Sequence, residues 1–250
     1  KSIYSKIFII ESTFLVLLYG ETLQARWYRF QIRSALFWPI FKIRKTKEIE
    51  YLKNQDQQLG KVIDQIGWIE REVDDDLFSA LVHQIIAQQI STKAQATIWQ
   101  KLQDACQTID AKTISACTVD DLRSFGISQR KADSILEFAQ KVNDQQFDLE
   151  ALWDMDDEQV ILQLTSLKGV GVWTAQMILI FCMQRKNVLS NQDYGIRKGL
   201  CMIYHHQKID RQLFEKYKRL FSPYCSIASF YLWAIVNGQI SDMNDDFFKK

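Results

Sequence analysis

The chain has 250 residues, 47% of them hydrophobic and 24% charged, with a net charge of +1. Two prolines and nine glycines exclude a many-turned β-protein and favour long helices, with enough chain for one large core or two small ones. The near-neutral total excludes a protein drawn to nucleic acid by its overall field, so any such contact has to rest on locally placed cations.

The charge is unevenly spread: residues 1–47 carry a net +7 and residues 48–250 a net −6. Residues 1–47 therefore read as a basic segment of unassigned structure, ahead of a main domain over 48–250. Two strand-like runs lie within it, at 7–19 and 27–32. The apolar run Ile7–Tyr19 is interrupted by Glu11 and is shorter than the roughly 18 residues a membrane span needs. It reads as an element packed on the main domain, and no membrane association is expected.

From residue 48 the hydrophobic period is helical. Leu77, Phe78, Leu81, Val82, Ile85 and Ile86 form one apolar face, and Asp74 and Asp76 supply carboxylates for the start of that helix. Ser91 or Thr92 caps the next helix, with Ala94, Ile98 and Leu102 inward. A short helix over 120–125 stops at Gly126. Ser128 opens another, striped by Ala132, Ile135, Leu136, Ala139 and Val142. Further helices fit 156–164, 172–183, 194–204, 211–220 and 226–237, giving an all-α architecture with short connections.

Cys106, Cys117, Cys182, Cys201 and Cys225 contain no close pair. That spacing speaks against a zinc site, an iron–sulfur cluster or a disulfide framework and for free thiols in a reducing cytoplasm. His83, His205 and His206 show no ligand spacing and read as structural or solvated. No metal held by side chains is expected.

Between the helices over 156–164 and 172–183 lies Leu167-Lys168-Gly169-Val170-Gly171. Glycine lets backbone approach a ligand, and the free N–H groups of a helix start make an anion site. The run Leu164–Ala175 (LTSLKGVGVWTA) is similar to the hairpin signature of the helix-hairpin-helix DNA glycosylase superfamily, with Lys168 where that family usually has proline. The resemblance implies that Lys168, Gly169, Val170 and Gly171 grip a DNA backbone, with an alkali cation as a possible companion at the hairpin carbonyls.

Three further stretches match in order. Ile85–Ser91 resembles the family's Ile-x-x-Gln-Gln-x-Ser element, which implies that Gln89 wedges into the base stack beside Ser91. Gly126–Ala132 resembles an architectural stretch, with Arg130 or Lys131 a candidate phosphate contact. Phe221–Trp233 resembles the closing Trp-x-Pro-(Trp/Tyr)-Arg-Ser…Tyr-Leu-Trp motif, with Cys225 in place of the usual arginine. By the resemblance Trp173 and Tyr224 line a base pocket, where aromatic faces attract a cationic methylated purine. Trp153 and Trp233 read as core.

Asp193 stands 22 residues after Gly171, in Asn191-Gln192-Asp193-Tyr194-Gly195. An aspartate before a helix is ordinarily an N-cap; the resemblance makes it also the catalytic carboxylate. Trp173 occupies the position at which bifunctional relatives carry a Schiff-base lysine. The family most resembled is that of the DNA-3-methyladenine glycosylase II enzymes. It implies two helical subdomains around a cleft and a cytoplasmic, monomeric hydrolase. The enzyme would act without an organic cofactor on double-stranded DNA, excising alkylated purines without lyase activity. The alternatives are a glycosylase for other damaged or mismatched bases, a non-catalytic hairpin DNA-binding module, and a small-molecule or membrane role carried by residues 1–47.

Overall fold

The computed structural model describes residues 40–43, 47–74 and 76–240. The chain divides into two compact units, Lys1–Pro39 and Ile40–Lys250, and all the described residues belong to the second. The strand-like runs expected at 7–19 and 27–32 lie outside the described residues. Within the second unit, strand β1 (Ile40–Ile43) pairs antiparallel with β2 (Ile69–Glu72), Ile40 opposite Glu72 and Ile43 opposite Ile69. This ribbon is the one departure from the all-helical expectation among the described residues.

Twelve α-helices follow or flank it among the described residues: α1 (Lys47–Gln55), α2 (Gln57–Ile66), α3 (Leu77–Ala87), α4 (Thr92–Cys106), α5 (Ala111–Ser115), α6 (Val119–Ser124), α7 (Gln129–Asn143), α8 (Asp157–Thr165), α9 (Val172–Phe181), α10 (Tyr194–Tyr204), α11 (Arg211–Phe221) and α12 (Cys225–Val236). A 3-10 turn spans Glu150–Asp154. Most starts are set locally. Asp56, Asp76, Ser91, Asp110, Thr118, Asp156, Asp193 and Asp210 each accept a hydrogen bond from a first-turn N–H of the helix that follows, which satisfies donors the helix cannot pair internally. Ser128 is placed at the start of α7 as expected, yet its side chain makes no capping bond.

The helices pack in two groups. In one, α3 lies against α4, α7 and α9, α7 against α5 and α6, and α8 against α9. In the other, α12 lies against α1, α2, α10 and α11. Each group has a helix apolar all round, as a central helix must be: α9, with Ala175 and Met177–Ile180 buried, and α12, with every residue from Cys225 to Leu232 buried. A fully buried Leu, Ile or Phe on such a helix contributes about 1.5–3 kcal/mol. The approach of α10 to α12 depends on Gly199, where a Cβ would lie 2.7 Å from the Leu232 carbonyl oxygen. Tyr231 closes this group by donating its hydroxyl to Gly67 O at 3.0 Å.

Candidate active site

The chain turns at 166–171 between α8 and α9. Gly169 has φ +81°, and a Cβ there would meet Ser134 Oγ at 2.9 Å, so both its backbone and its neighbour demand glycine. Gly171 has an ordinary φ of −97° with open space around it. Its role is different: it opens α9 with no side-chain cap, leaving the first N–H groups of a well-buried helix available to an outside anion. Lys168 beside it is half-exposed and already shares Glu137, at 3.8 Å.

After α9 the chain returns to the start of α10, and this return is pinned at several points. Ser226 Oγ donates to Arg185 O at 2.6 Å and accepts from Val188 N at 2.9 Å. The Arg185 guanidinium donates to the carbonyls of Trp153 and Met155 at 3.0 and 2.9 Å. The segment is thereby bound to α12 on one side and to the 3-10 turn on the other. It delivers Asp193, which is 8% exposed.

Asp193 caps α10 through Oδ1, which accepts from Ile196 N at 2.8 Å. The same oxygen accepts from the Trp233 indole N–H at 2.9 Å, and Oδ2 accepts from the Trp173 indole N–H at 2.9 Å. Two indoles, one from the hairpin helix and one from α12, therefore hold the carboxylate from its two sides. Neither indole accepts a proton, so they fix the carboxylate without competing for it. Oδ1 has two donors and Oδ2 one, which leaves a lone pair of Oδ2 for a ligand. Gly195 makes the grip feasible: a Cβ there would sit 2.7 Å from Trp233 Cδ1.

The aromatic surroundings differ on the two sides. Trp233 is stacked against Phe181, with centroids 5.5 Å apart, and edge-on to Phe230 at 5.7 Å. Trp173 is half-buried and stacks on no other ring among the described residues. Tyr194, next to the carboxylate, is 72% exposed.

The structure thus brings Asp193, Trp173 and the hairpin residues Gly169–Gly171 together, and it corrects two residue assignments. Tyr224 lies at the opposite end of α12, nine residues or about 13 Å along the helix from Trp233, edge-on to Tyr51 of α1 at 5.2 Å. Helix α12 carries Trp233, not Tyr224, to the carboxylate: Trp233 packs against the core as expected and also contacts Asp193 directly. Lys131 turns inward to the carbonyls of Ile86 and Gln88 at 2.8 and 2.6 Å instead of facing outward toward a phosphate. Cys225, in place of the usual arginine, is wholly buried and donates its thiol to Lys218 O at 3.3 Å; burial pushes its pKa up to about 12. Gln89 and Ser91 fall in the turn between α3 and α4, with Ser91 Oγ accepting from Ala94 N at 3.2 Å. Among the described residues no group of three or more His, Cys, Asp or Glu side chains is arranged to hold a metal, and no helix is long and apolar enough to cross a membrane.

Residue 88 makes a hairpin contact that sequence reasoning passed over, since nothing local marks it as reaching the hairpin. The Gln88 amide donates to Gly169 O at 2.9 Å. Trp233 did carry a signal, as the last residue of the Tyr-Leu-Trp motif.

Comparison with known proteins agrees with this geometry. A DNA-3-methyladenine glycosylase 1 of Schizosaccharomyces pombe is 27% identical over 161 residues, covering 62% of this chain and 71% of that protein. The crystal structure of a DNA-3-methyladenine glycosidase from Bacillus halodurans superposes with a TM-score of 0.69 at 27% identity, covering 80% of this chain and 92% of that one. The S. pombe 3-methyladenine DNA glycosylase bound to abasic DNA superposes with a TM-score of 0.71 at 23% identity, over 79% of this chain and 98% of that one, a likeness of fold. The family model of the HhH-GPD superfamily base excision DNA repair proteins matches residues 82–223, which include the α3–α4 turn, the hairpin and the carboxylate, and the chain belongs to that family.

Proposed function

We propose that this protein is a monofunctional DNA glycosylase that flips an alkylated purine out of duplex DNA and hydrolyses its N-glycosidic bond, with Asp193 as the catalytic carboxylate. The observation that carries this reading is the double indole grip on Asp193, one indole coming from the first turn of a helix whose glycine start has no side-chain cap. The relatives named for 3-methyladenine support the choice of substrate class.

The chemistry follows from charge. As the bond from C1′ of the deoxyribose to the base breaks, positive charge grows on the sugar, as in glycoside hydrolysis. A carboxylate fixed in advance stabilises that charge without reorganising. Its remaining Oδ2 lone pair can face the sugar or orient the attacking water. An N-alkylated purine is already cationic while attached and departs as a neutral base with the bonding electron pair, so no second acid is needed. The open face of Trp173 suits a cationic ring by stacking and cation–π attraction. An indole at 173 also offers no amine for a Schiff base, which is why water is the acceptor in this reading and strand cleavage is not part of it.

The hairpin would hold a DNA phosphate on the N–H groups that Gly171 leaves open, fixing register without reading sequence. An alkali cation at the hairpin carbonyls fits this role. The Gly169 carbonyl already takes one bond from Gln88 and retains a second lone pair. The cation would add charge for the phosphate and no step of the cleavage.

The test is base release from methylated duplex DNA by the wild type and by Asp193→Asn, with nicks scored before and after hot alkali. Release of 3-methyladenine by the wild type alone, with nicks only after alkali, is the expected result. Salt-sensitive DNA binding without release would point to another lesion or to a non-catalytic module, and nicks before alkali would overturn the monofunctional reading.

A further inference from the structure

The turn between α3 and α4 is held more firmly than its exposure suggests. Gln89 has φ +57°, a left-handed conformation that costs a non-glycine residue about 1–2 kcal/mol unless its surroundings impose it. Gln89 and Ile90 are exposed, whereas the residues that bound them are tied down. Lys131, on α7, donates its ammonium to Ile86 O at 2.8 Å and to Gln88 O at 2.6 Å, meeting carbonyls that α3 leaves unpaired at its C-terminus. Gln88 N–H donates back to Ile85 O at 3.4 Å. The Gln88 side chain then crosses to the hairpin, donating to Gly169 O at 2.9 Å and Thr174 Oγ1 at 3.3 Å. Both hydrogens of one amide are thus committed, one to the turn expected to grip DNA backbone and one to the residue after Trp173.

We propose that Gln88 and Lys131 are positioning residues for base flipping, which lock the exposed Gln89 turn to the hairpin so that backbone grip and entry into the base stack act as one rigid unit. The proposal rests on the reading of Gln89 as the wedge. Its physical basis is the load: opening a stacked pair takes a few kcal/mol, and a tip on a compliant loop would yield before the stack did. The lock also relates the wedge to the carboxylate, because Thr174 adjoins the indole that holds Asp193.

The experiment compares single-turnover base release by the full chain from an alkylated purine that is paired in duplex with release from the same base unpaired in a bulge. Fluorescence of 2-aminopurine beside the lesion reports unstacking. Gln88→Leu and Lys131→Met should slow release from the paired lesion by about tenfold to a hundredfold, slow the bulged lesion far less, and reduce the fluorescence change. Lys131→Arg, which keeps donors for both carbonyls, should restore most of the loss. Adding Gln89→Ala to Gln88→Leu should cost little more. Thr174→Val removes only the longer of the two amide contacts, so it tests the same point with less risk to folding and should give the same selectivity at smaller size. Equal losses on paired and bulged lesions would overturn the proposal in favour of a merely structural role. If Gln89→Ala shifts the paired-to-bulged ratio and Gln88→Leu does not, the lock alone falls. If Gln89→Ala leaves the ratio at the wild-type value, the wedge reading falls.

Discussion

The starts of α9 and α10 lie 22 residues apart and meet through one hydrogen bond, yet they solve the same local problem in opposite ways. Both helices begin with N–H groups that lack internal partners. At α10 an aspartate fills the gap: Asp193 is buried, accepts from Ile196 N and is held by two indoles. At α9 a glycine leaves the gap open and exposed. The comparison separates structure from ligand chemistry. The closed start is completed by the protein itself; in the proposed function its carboxylate would face the reacting sugar. The open start has no side-chain cap; in the proposed function it would offer its dipole to a DNA phosphate. A helix start without a cap is a defect in a folding sense and a binding site in a functional one.

The largest effect should come from changing the closed start. Asparagine is as good an N-cap as aspartate, so Asp193→Asn should still fold, with a loss of about 1–3 kcal/mol for the indole N–H left without an acceptor. It removes the charge and points an amide donor at an indole donor. Base release should fall by at least about a hundredfold; melting and single-turnover assays on one preparation check both halves. A rate within about tenfold of the wild type, measured where the variant is fully folded, would mean that the carboxylate is mainly structural.

Next in size is Gly195→Ala. The new Cβ would press on Trp233 Cδ1 from 2.7 Å and displace the indole from Asp193 Oδ1. Overpacking of this kind costs about 1–3 kcal/mol, and release should slow by about tenfold, visible as a blue or red shift of tryptophan emission together with a lower rate. The open start gives the sharper contrast. Gly171→Asp would close α9 as Asp193 closes α10, in a backbone conformation and a space that both admit a side chain. It should stabilise the fold by about a few tenths of a kcal/mol while weakening duplex binding and flattening its salt dependence by about one phosphate contact. Stabilisation with unchanged DNA affinity would show that no phosphate sits there.

The smallest expected effect concerns His83, which underlies the wedge turn. Burial lowers its pKa, it stacks on Trp99 at 4.3 Å, and Gln95 Nε2 lies 2.8 Å from its Nε2. Below the ordinary value of about 6.5 the unfolded chain takes up a proton that the folded chain resists. This group's contribution is therefore complete above that pH and declines as pH falls toward the lowered folded value. Thermal melts should lose a few degrees between about pH 7.5 and 5.5, and His83→Phe should remove much of that slope.

Much of this was legible in the chain. The helices over 77–87, 129–143 and 194–204 follow from apolar period and local caps, which involve residues within four of one another. The hairpin glycines and Asp193 were found because their spacing matches a family pattern. Tyr224 was placed at the site and Trp233 was not, because motif order says that both belong to one helix and not which end of it meets the carboxylate. Lys131 reads as a surface cation, and its inward turn depends on carbonyls 43 and 45 residues earlier. The ribbon Ile40–Ile43 with Ile69–Glu72 is too short to show a period and is defined by its pairing.

The sequence by itself determined the helical elements, their starts and stops and the glycine turn, because each depends on backbone conformation and neighbours a turn or two away; Asp193 was singled out by the family resemblance. Only the tertiary structure decided what surrounds that acid: which indoles grip it, which end of α12 meets it, and that the Gln88 amide ties the wedge turn to the hairpin. Those contacts join residues 20, 40 and 81 positions apart. Their formation depends on how whole helices pack, and hydrophobic patterning says that a face is buried without saying against what.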